Sequence, residues 1–173
     1  MQREPRQKIP GIMSRCADVT VATVRPDGAP RATVVSFVHD GLLLHFGRGS
    51  KSQKAANIAH EPRVSAAMTA PRDRWMSIEG LSMAATALPV SDASEVAEVA
   101  LRMYRRFPRI PDIELDAAED QMTVIRVRPK LISVLDYAKG FGHTDLVGVA
   151  ADDIAGTLET MRHHRLIPTR TGA

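Results

Sequence analysis

The stretch DVTVATVRPDGAPRATVVSFVHDGLLLHF, Asp18 to Phe46, decides the fold. It opens with DVTVATVR, where β-branched residues alternate with smaller or polar ones, the two-residue period of a strand. PDGAP at 26–30 carries turn chemistry: Pro26 presets φ, and Gly28 is free to take a positive one. RATVVSFVH then reads as a second strand. The Asp40-Gly41 pair is a hairpin signal, and LLLHF is a third strand. Three strands over residues 18–46 leave no room for a crossover helix, so they form an antiparallel meander.

Working outward, residues 6–16 predict a short helix interrupted at Pro10 and Gly11. Residues 52–60 predict a helix that ends before Pro62. RVSAAMTA is strand four, PRDR a loop, and WMSIEGLSMAATAL a long strand five with a bulge at Gly80. SDASEVAEVALRMYRRF predicts an amphipathic helix capped by Ser91 or Asp92, with Val96, Ala100, Met103 and Phe107 on its inner face. Pro108 and Pro111 end it. DQMTVIRVRPKLISVLDY is strand six, interrupted around Pro129, and the tail predicts a helix over about 151–164. The order βββ-α-ββ-α-β-α with hairpin turns predicts a mainly β (α+β) fold, an antiparallel six-stranded barrel with peripheral helices. All 173 residues are expected to form one domain with its core over about 17–137.

Composition narrows the function. The net charge is only +3, and one Trp, two Tyr and four Phe include none that alternates with basic residues, so nucleic acid is not an expected partner. Cys16 is the only cysteine, which rules out an intrachain disulfide and fits a reducing compartment. MQREPRQKIPGIMSR has no apolar stretch of signal-peptide length, and no run approaches the ~18–20 apolar residues of a membrane span. The expected location is the cytoplasm, with no membrane partner. Neighbouring histidines such as His163 and His164 point about 100° apart on a helix, and with His143 they make no metal site.

The chemistry concentrates in HFGRGSKSQKAANIAHEPRVSAAM, His45 to Met68. Arg48, Lys51 and Lys54 surround a helix start for which Ser52 is a good N-cap. Cations beside a helix N-terminus are locally unfavourable by about 0.3–1 kcal/mol each, unless an anion such as phosphate sits among them. The alternative is a solvated basic turn. GRGSKS lacks the G-x-x-x-x-G-K-[ST] spacing of a P-loop.

RATVVSF, LLLHFGRGSKSQKAANIAHEPRVSAAM and RWMSIEGLSMAATAL, in this order and spacing, resemble the flavin-binding split-barrel family related to pyridoxamine 5′-phosphate oxidase. The resemblance covers residues 17–90, and 121–137 more loosely. It implies a homodimer that holds FMN at its interface. Arg31 and Lys54 would hold the FMN phosphate, with Lys51 and Ser52 assisting inside the segment Ser52-Gln53-Lys54-Ala55. Ala32, Thr33 and Val34 would line the flavin ring. His45 and Phe46 fall at the family's aromatic-plus-small pair, and Trp75 at a position beside the ring.

The oxidase's Arg-x-His near the C-terminus is missing from LDYAKGFGHTDL, where Tyr137, Lys139 and His143 stand nearby, and LRMYRRFPRI lacks its Arg-x-x-x-Ser pattern. Vitamin B6 oxidation is therefore not the expected reaction. The expectation is an FMN-dependent oxidoreductase acting on a small molecule, with the chemistry left to the cofactor. The family also includes relatives that use haem or the deazaflavin F420. The alternatives are a flavin- or haem-binding sensor or carrier, or a vitamin B6-phosphate-binding protein.

Overall fold

The computed structural model describes residues 3–49, 52–108 and 122–154. The order is α1 (Arg3–Arg15), β1 (Asp18–Val24), β2 (Pro30–Ser36), β3 (Val38–Asp40), β4 (Leu43–Gly49), α2 (Gln53–His60), β5 (Arg63–Thr69), β6 (Glu79–Pro89), α3 (Ala93–Arg106), β7 (Met122–Asp136) and β8 (Thr144–Gly148). The strands form one antiparallel sheet in the order β2-β1-β5-β6-β7-β4-β3, with β8 also paired to β7. Its two outermost strands, β2 and β3, are consecutive in the chain with Phe37 alone between them, and β2 also approaches β4. The sheet therefore curls on itself as a split barrel.

Alternation builds the core. Val19 and Val21 of β1, Val64, Ala66 and Met68 of β5, Leu81 and Met83 of β6, and Ile125 and Val127 of β7 are buried in one cluster. Phe37 is wholly buried there, a contribution of about 1.5–3 kcal/mol. α1 closes one end of the barrel with Ile9, Ile12 and Met13. It runs unbroken through Pro10, and burial of this stripe offsets the backbone hydrogen bond that proline removes.

Several expectations need correction. The strand expected over RATVVSFVH breaks at Phe37, where the chain changes partner from β1 to β4. Strand seven is continuous through Pro129. The bulge is not at Gly80 but where the β6–β7 register shifts, between Ala84 and Ala85. Gly80 serves close approach instead, because a Cβ there would meet the Met68 carbonyl oxygen at 2.9 Å. The segment 137–143 turns through Gly140 and Gly142, both at positive φ, and returns as β8. That makes eight strands among the described residues rather than six. The tail helix lies outside the described residues from 155 on.

α3 departs most from expectation. Ala100 is exposed, and the inner stripe includes Glu95, Val99, Arg102 and Arg106. Asp92 caps the helix by accepting from Ser94 N (2.8 Å) and Glu95 N (3.0 Å). Arg102 pairs with Asp40 (3.0 Å) and Glu98 (2.8 Å). Arg106 donates to the Ser14 and Cys16 carbonyls at the C-terminal end of α1 and lies over the Phe37 ring. These charges dock the helix together with a small apolar cluster, in which Val99 and Met103 pack against Val38 and Val124.

Candidate functional site

A relay of side-chain hydrogen bonds places α2. Gln53 Nε2 donates to Asn57 Oδ1 (2.9 Å), Asn57 Nδ2 to Thr23 Oγ1 (2.9 Å), and Thr23 Oγ1 to the Arg31 carbonyl (3.3 Å). Asn57 and Thr23 are both buried, so each needs such a partner. The relay sets α2 against the rung where Thr23 of β1 faces Arg31 of β2. Ser52 caps the helix, its Oγ accepting from Ala55 N at 3.3 Å, and its own N–H donates to the Gly49 carbonyl. Lys54 Nζ stands 5.4 Å from the centroid of the buried Phe46 ring.

On β2 the alternation divides the expected residues. Arg31 and Thr33 share one face, and Ala32 and Val34 the other. Arg31 is exposed. Thr33 Oγ1 is shut away from solvent with no hydrogen-bond partner among the described residues. Such an orphan costs about 1–3 kcal/mol unless a ligand answers it. The relay ties the start of α2, Ser52 to Lys54, to the Arg31 end of β2, and Thr33 lies on the same strand face as Arg31. The residues present fit a phosphorylated, hydrogen-bonding cofactor: two cations and a helix N-terminus for a phosphate, and a waiting hydroxyl beside them. Lys51 and the side chain of Arg48 lie outside the described residues.

Ala32 and Val34 look outward, where Val34 is 68% exposed. Val34, Thr20, Ala67, Ser82 and Ser133 line a cavity of about 440 Å³ on that face.

His45 sits elsewhere. It alternates with Phe46 and is sealed under α3, where its Nε2 donates to Glu95 Oε1 at 2.9 Å. The other Glu95 oxygen takes Arg126 Nη1 at 2.7 Å. Burial pushes the Glu95 carboxyl up, but the His45 hydrogen bond and the Arg126 charge outweigh it and hold the group below its usual range. Trp75 is 62% exposed, with the Arg72 guanidinium over its ring. It follows the Thr69 end of β5, roughly 13 Å of strand at about 3.3 Å per residue from Ser65, which is level with Ala22. Within one chain, Trp75 and Arg31 therefore lie at opposite ends of the barrel. The Tyr137 and Phe141 rings meet at a tilt with centroids 5.2 Å apart, and Lys139 and His143 converge on Asp145 at 3.0 and 3.2 Å.

Sequence reasoning missed Asn57 and Glu95. The signal for Asn57 is a polar residue on the buried side of a short helix. Glu95 gives no such signal, because its partners lie 50 and 31 residues away.

Residues 7–136 match the family described as pyridoxamine 5′-phosphate oxidase. No curated protein matches by sequence. Among solved structures, a haem-binding protein from Mycobacterium smegmatis superposes with a TM-score of 0.73 at 18% identity, over 90% of this chain and 62% of that one. The chain thus spans about three-fifths of that protein's length. A conserved hypothetical protein from Mycobacterium tuberculosis gives 0.66 at 23% identity, over 88% and 94% of the two chains. A protein titled F420 Reductase gives 0.56 at 28% identity, over 71% and 94%. With three-quarters of its length matched and the split barrel in place, the chain belongs to the pyridoxamine 5′-phosphate oxidase family.

Proposed function

We propose that the protein is a cytosolic, homodimeric FMN-dependent oxidoreductase acting on a small molecule. The observation that carries this is the orphaned Thr33 Oγ1, on the same strand face as Arg31, whose carbonyl ends the hydrogen-bond relay from the start of α2. In this reading Arg31, Lys54 and the N–H groups of the first turn of α2 hold the phosphate, with Lys51 and Gln53 at its margin. Thr33 hydrogen-bonds the flavin, and the β2 backbone from Ala32 to Val34 orients the ring. FMN, when bound, supplies the electron transfer, and the chain's residues anchor it and keep water from one side.

The second subunit is supported by the sheet's outer face. One rung runs Val34–Thr20–Ala67–Ser82–Ser133–Leu146, and the next Ala32–Ala22–Ser65–Ala84–Leu131–Gly148. All twelve residues are uncharged, whereas a solvated sheet face is normally polar. In a twofold pair this patch meets its own copy and shelters the open side of the flavin.

The test is titration of FMN and riboflavin against wild type, Arg31→Ala and Lys54→Ala. Each charge-assisted contact is worth about 1.5–3 kcal/mol, so each variant should bind FMN roughly ten- to a hundredfold more weakly. Riboflavin binding as tight as FMN in the wild type would refute the phosphate clamp. The likeness to F420 Reductase and to a haem-binding protein supports a second reading, a deazaflavin- or haem-binding protein. The visible spectrum of freshly purified protein separates the three. A bound flavin that nicotinamide donors and acceptors leave unchanged would favour a sensor or carrier.

A further inference from the structure

The outer face of β7 carries a second built feature, apart from the flavin corner. Arg126, Arg128 and Lys130 alternate along the strand. Arg126 is committed to Glu95. Arg128 and Lys130 meet no carboxylate among the described residues. Here the β6–β7 register shifts: Ala84 faces Leu131 and Ala85 faces Pro129, so Lys130 is the extra residue of a bulge. Bulges bend a strand and re-aim its side chains, often beside a site. The Lys130 carbonyl accepts from Val149 N at 2.9 Å, which folds the chain after β8 over the same spot. A depression of about 300 Å³ results, lined by Leu43, Leu88, Pro129 and Val149, with the Thr86 hydroxyl and the two free cations beside them. Leu88 is 47% exposed.

A solvated basic strand would explain cations spread over a flat surface. It would not explain a concave apolar floor beneath two unmatched charges. The depression also lies off the uncharged rungs, where Arg63, Thr86 and Arg128 form the next row. Charged residues are depleted from interface cores, so this row belongs outside the self-association patch. Arg31 and Thr33 look to the opposite face of the sheet.

We propose that this depression binds a small organic anion. One carboxylate or phosphate group lies between Arg128 and Lys130, and its apolar body rests on Leu88 and Val149. Charge complementarity selects the head and the floor selects the body, so neither part alone suffices.

Calorimetric titration of the full-length protein with octanoate, octyl phosphate, inorganic phosphate and 1-octanol tests this. At least one octyl anion should bind tenfold or more tighter than either inorganic phosphate or octanol, and the tighter of the two identifies the head group. The double variant Arg128→Gln/Lys130→Gln should lose that binding tenfold or more with an unchanged melting temperature, because both side chains are exposed. Leu88→Ser, also at an exposed position, should weaken the octyl anions while leaving inorganic phosphate unaffected. No measurable binding of either octyl anion, inorganic phosphate binding as tightly as octyl phosphate, or unchanged binding by the double variant would each overturn the proposal.

Discussion

Thr33 carries a hydroxyl that the fold hides and that no group among the described residues answers. Thr33→Val removes that hydroxyl at nearly constant shape. The variant without cofactor should be more stable by about 1 kcal/mol, and FMN should bind it more weakly. Thermal melts with and without FMN check both signs at once, and a parallel loss of stability and affinity would mean the hydroxyl is merely structural. Gly80 is the reverse case, a residue fixed by what crowds it. Gly80→Ala sets a methyl 2.9 Å from the Met68 carbonyl, a backbone atom that has to move. The expected cost is about 1–3 kcal/mol, read as a lower urea midpoint at unchanged slope. At this scale the sequence was half legible. Gly80 stood out in its strand, but only the neighbouring β5 backbone explains why. Thr33 looked like any strand threonine.

α3 shows what happens when charge helps to dock an element. Its helical period, its Asp92 cap and its proline stop were readable from local sequence, because capping and termination act within a few residues. Its rotation about its own axis was not readable. Of the expected face, Met103 does pack inward and Ala100 does not; distant His45, Arg126 and Asp40 turned the helix so that Glu95 and Arg102 face the sheet. Glu95→Ala would leave His45 buried and Arg126 unpaired, and should destabilise the protein by about 3–5 kcal/mol. The folded Glu95 carboxyl is held below its ordinary value. Its stabilising contribution is therefore fully present above the unfolded pKa of about 4.3 and is lost as pH falls through the folded pKa. Denaturant melts between pH 7 and 3 should show a shallower acid loss in Glu95→Gln than in wild type. Equal slopes would mean that other carboxylates govern acid unfolding.

For the whole molecule, the turn signals and alternating strands announced an antiparallel barrel, and the motif order pointed to its family. The break at Phe37 and the return of β8 could not be read, because RATVVSFVH is uninterrupted strand-forming sequence and GFGHTDL looks like a loop. The candidate site was legible where it is contiguous, at Ser52–Lys54, and less so where alternation sends neighbours such as Thr33 and Val34 to opposite faces. The uncharged rungs predict the assembly. Sedimentation at low micromolar concentration should find a dimer, with an interface above about 1,000 Å². Leu146→Glu, placing a charge at a residue 58% exposed in the single chain, should give a monomer with weakened FMN binding. A wild-type monomer that holds FMN stoichiometrically would rule out a shared site.

The change of partner at Phe37 also bears on how the protein emerges from the ribosome. β3 has only three residues, and β4, which ends at Gly49, has no other long neighbour until β7 begins at Met122. A nascent chain shorter than that holds a β1–β2 hairpin and, somewhat later, a β1–β5–β6 half, while β4 waits bare-edged. Pairings so distant in sequence are slow to form, and unpaired edges invite aggregation meanwhile. The last third of the translated chain thus decides whether the first third closes. Premature termination before residue 122 should yield insoluble fragments rather than a smaller working domain.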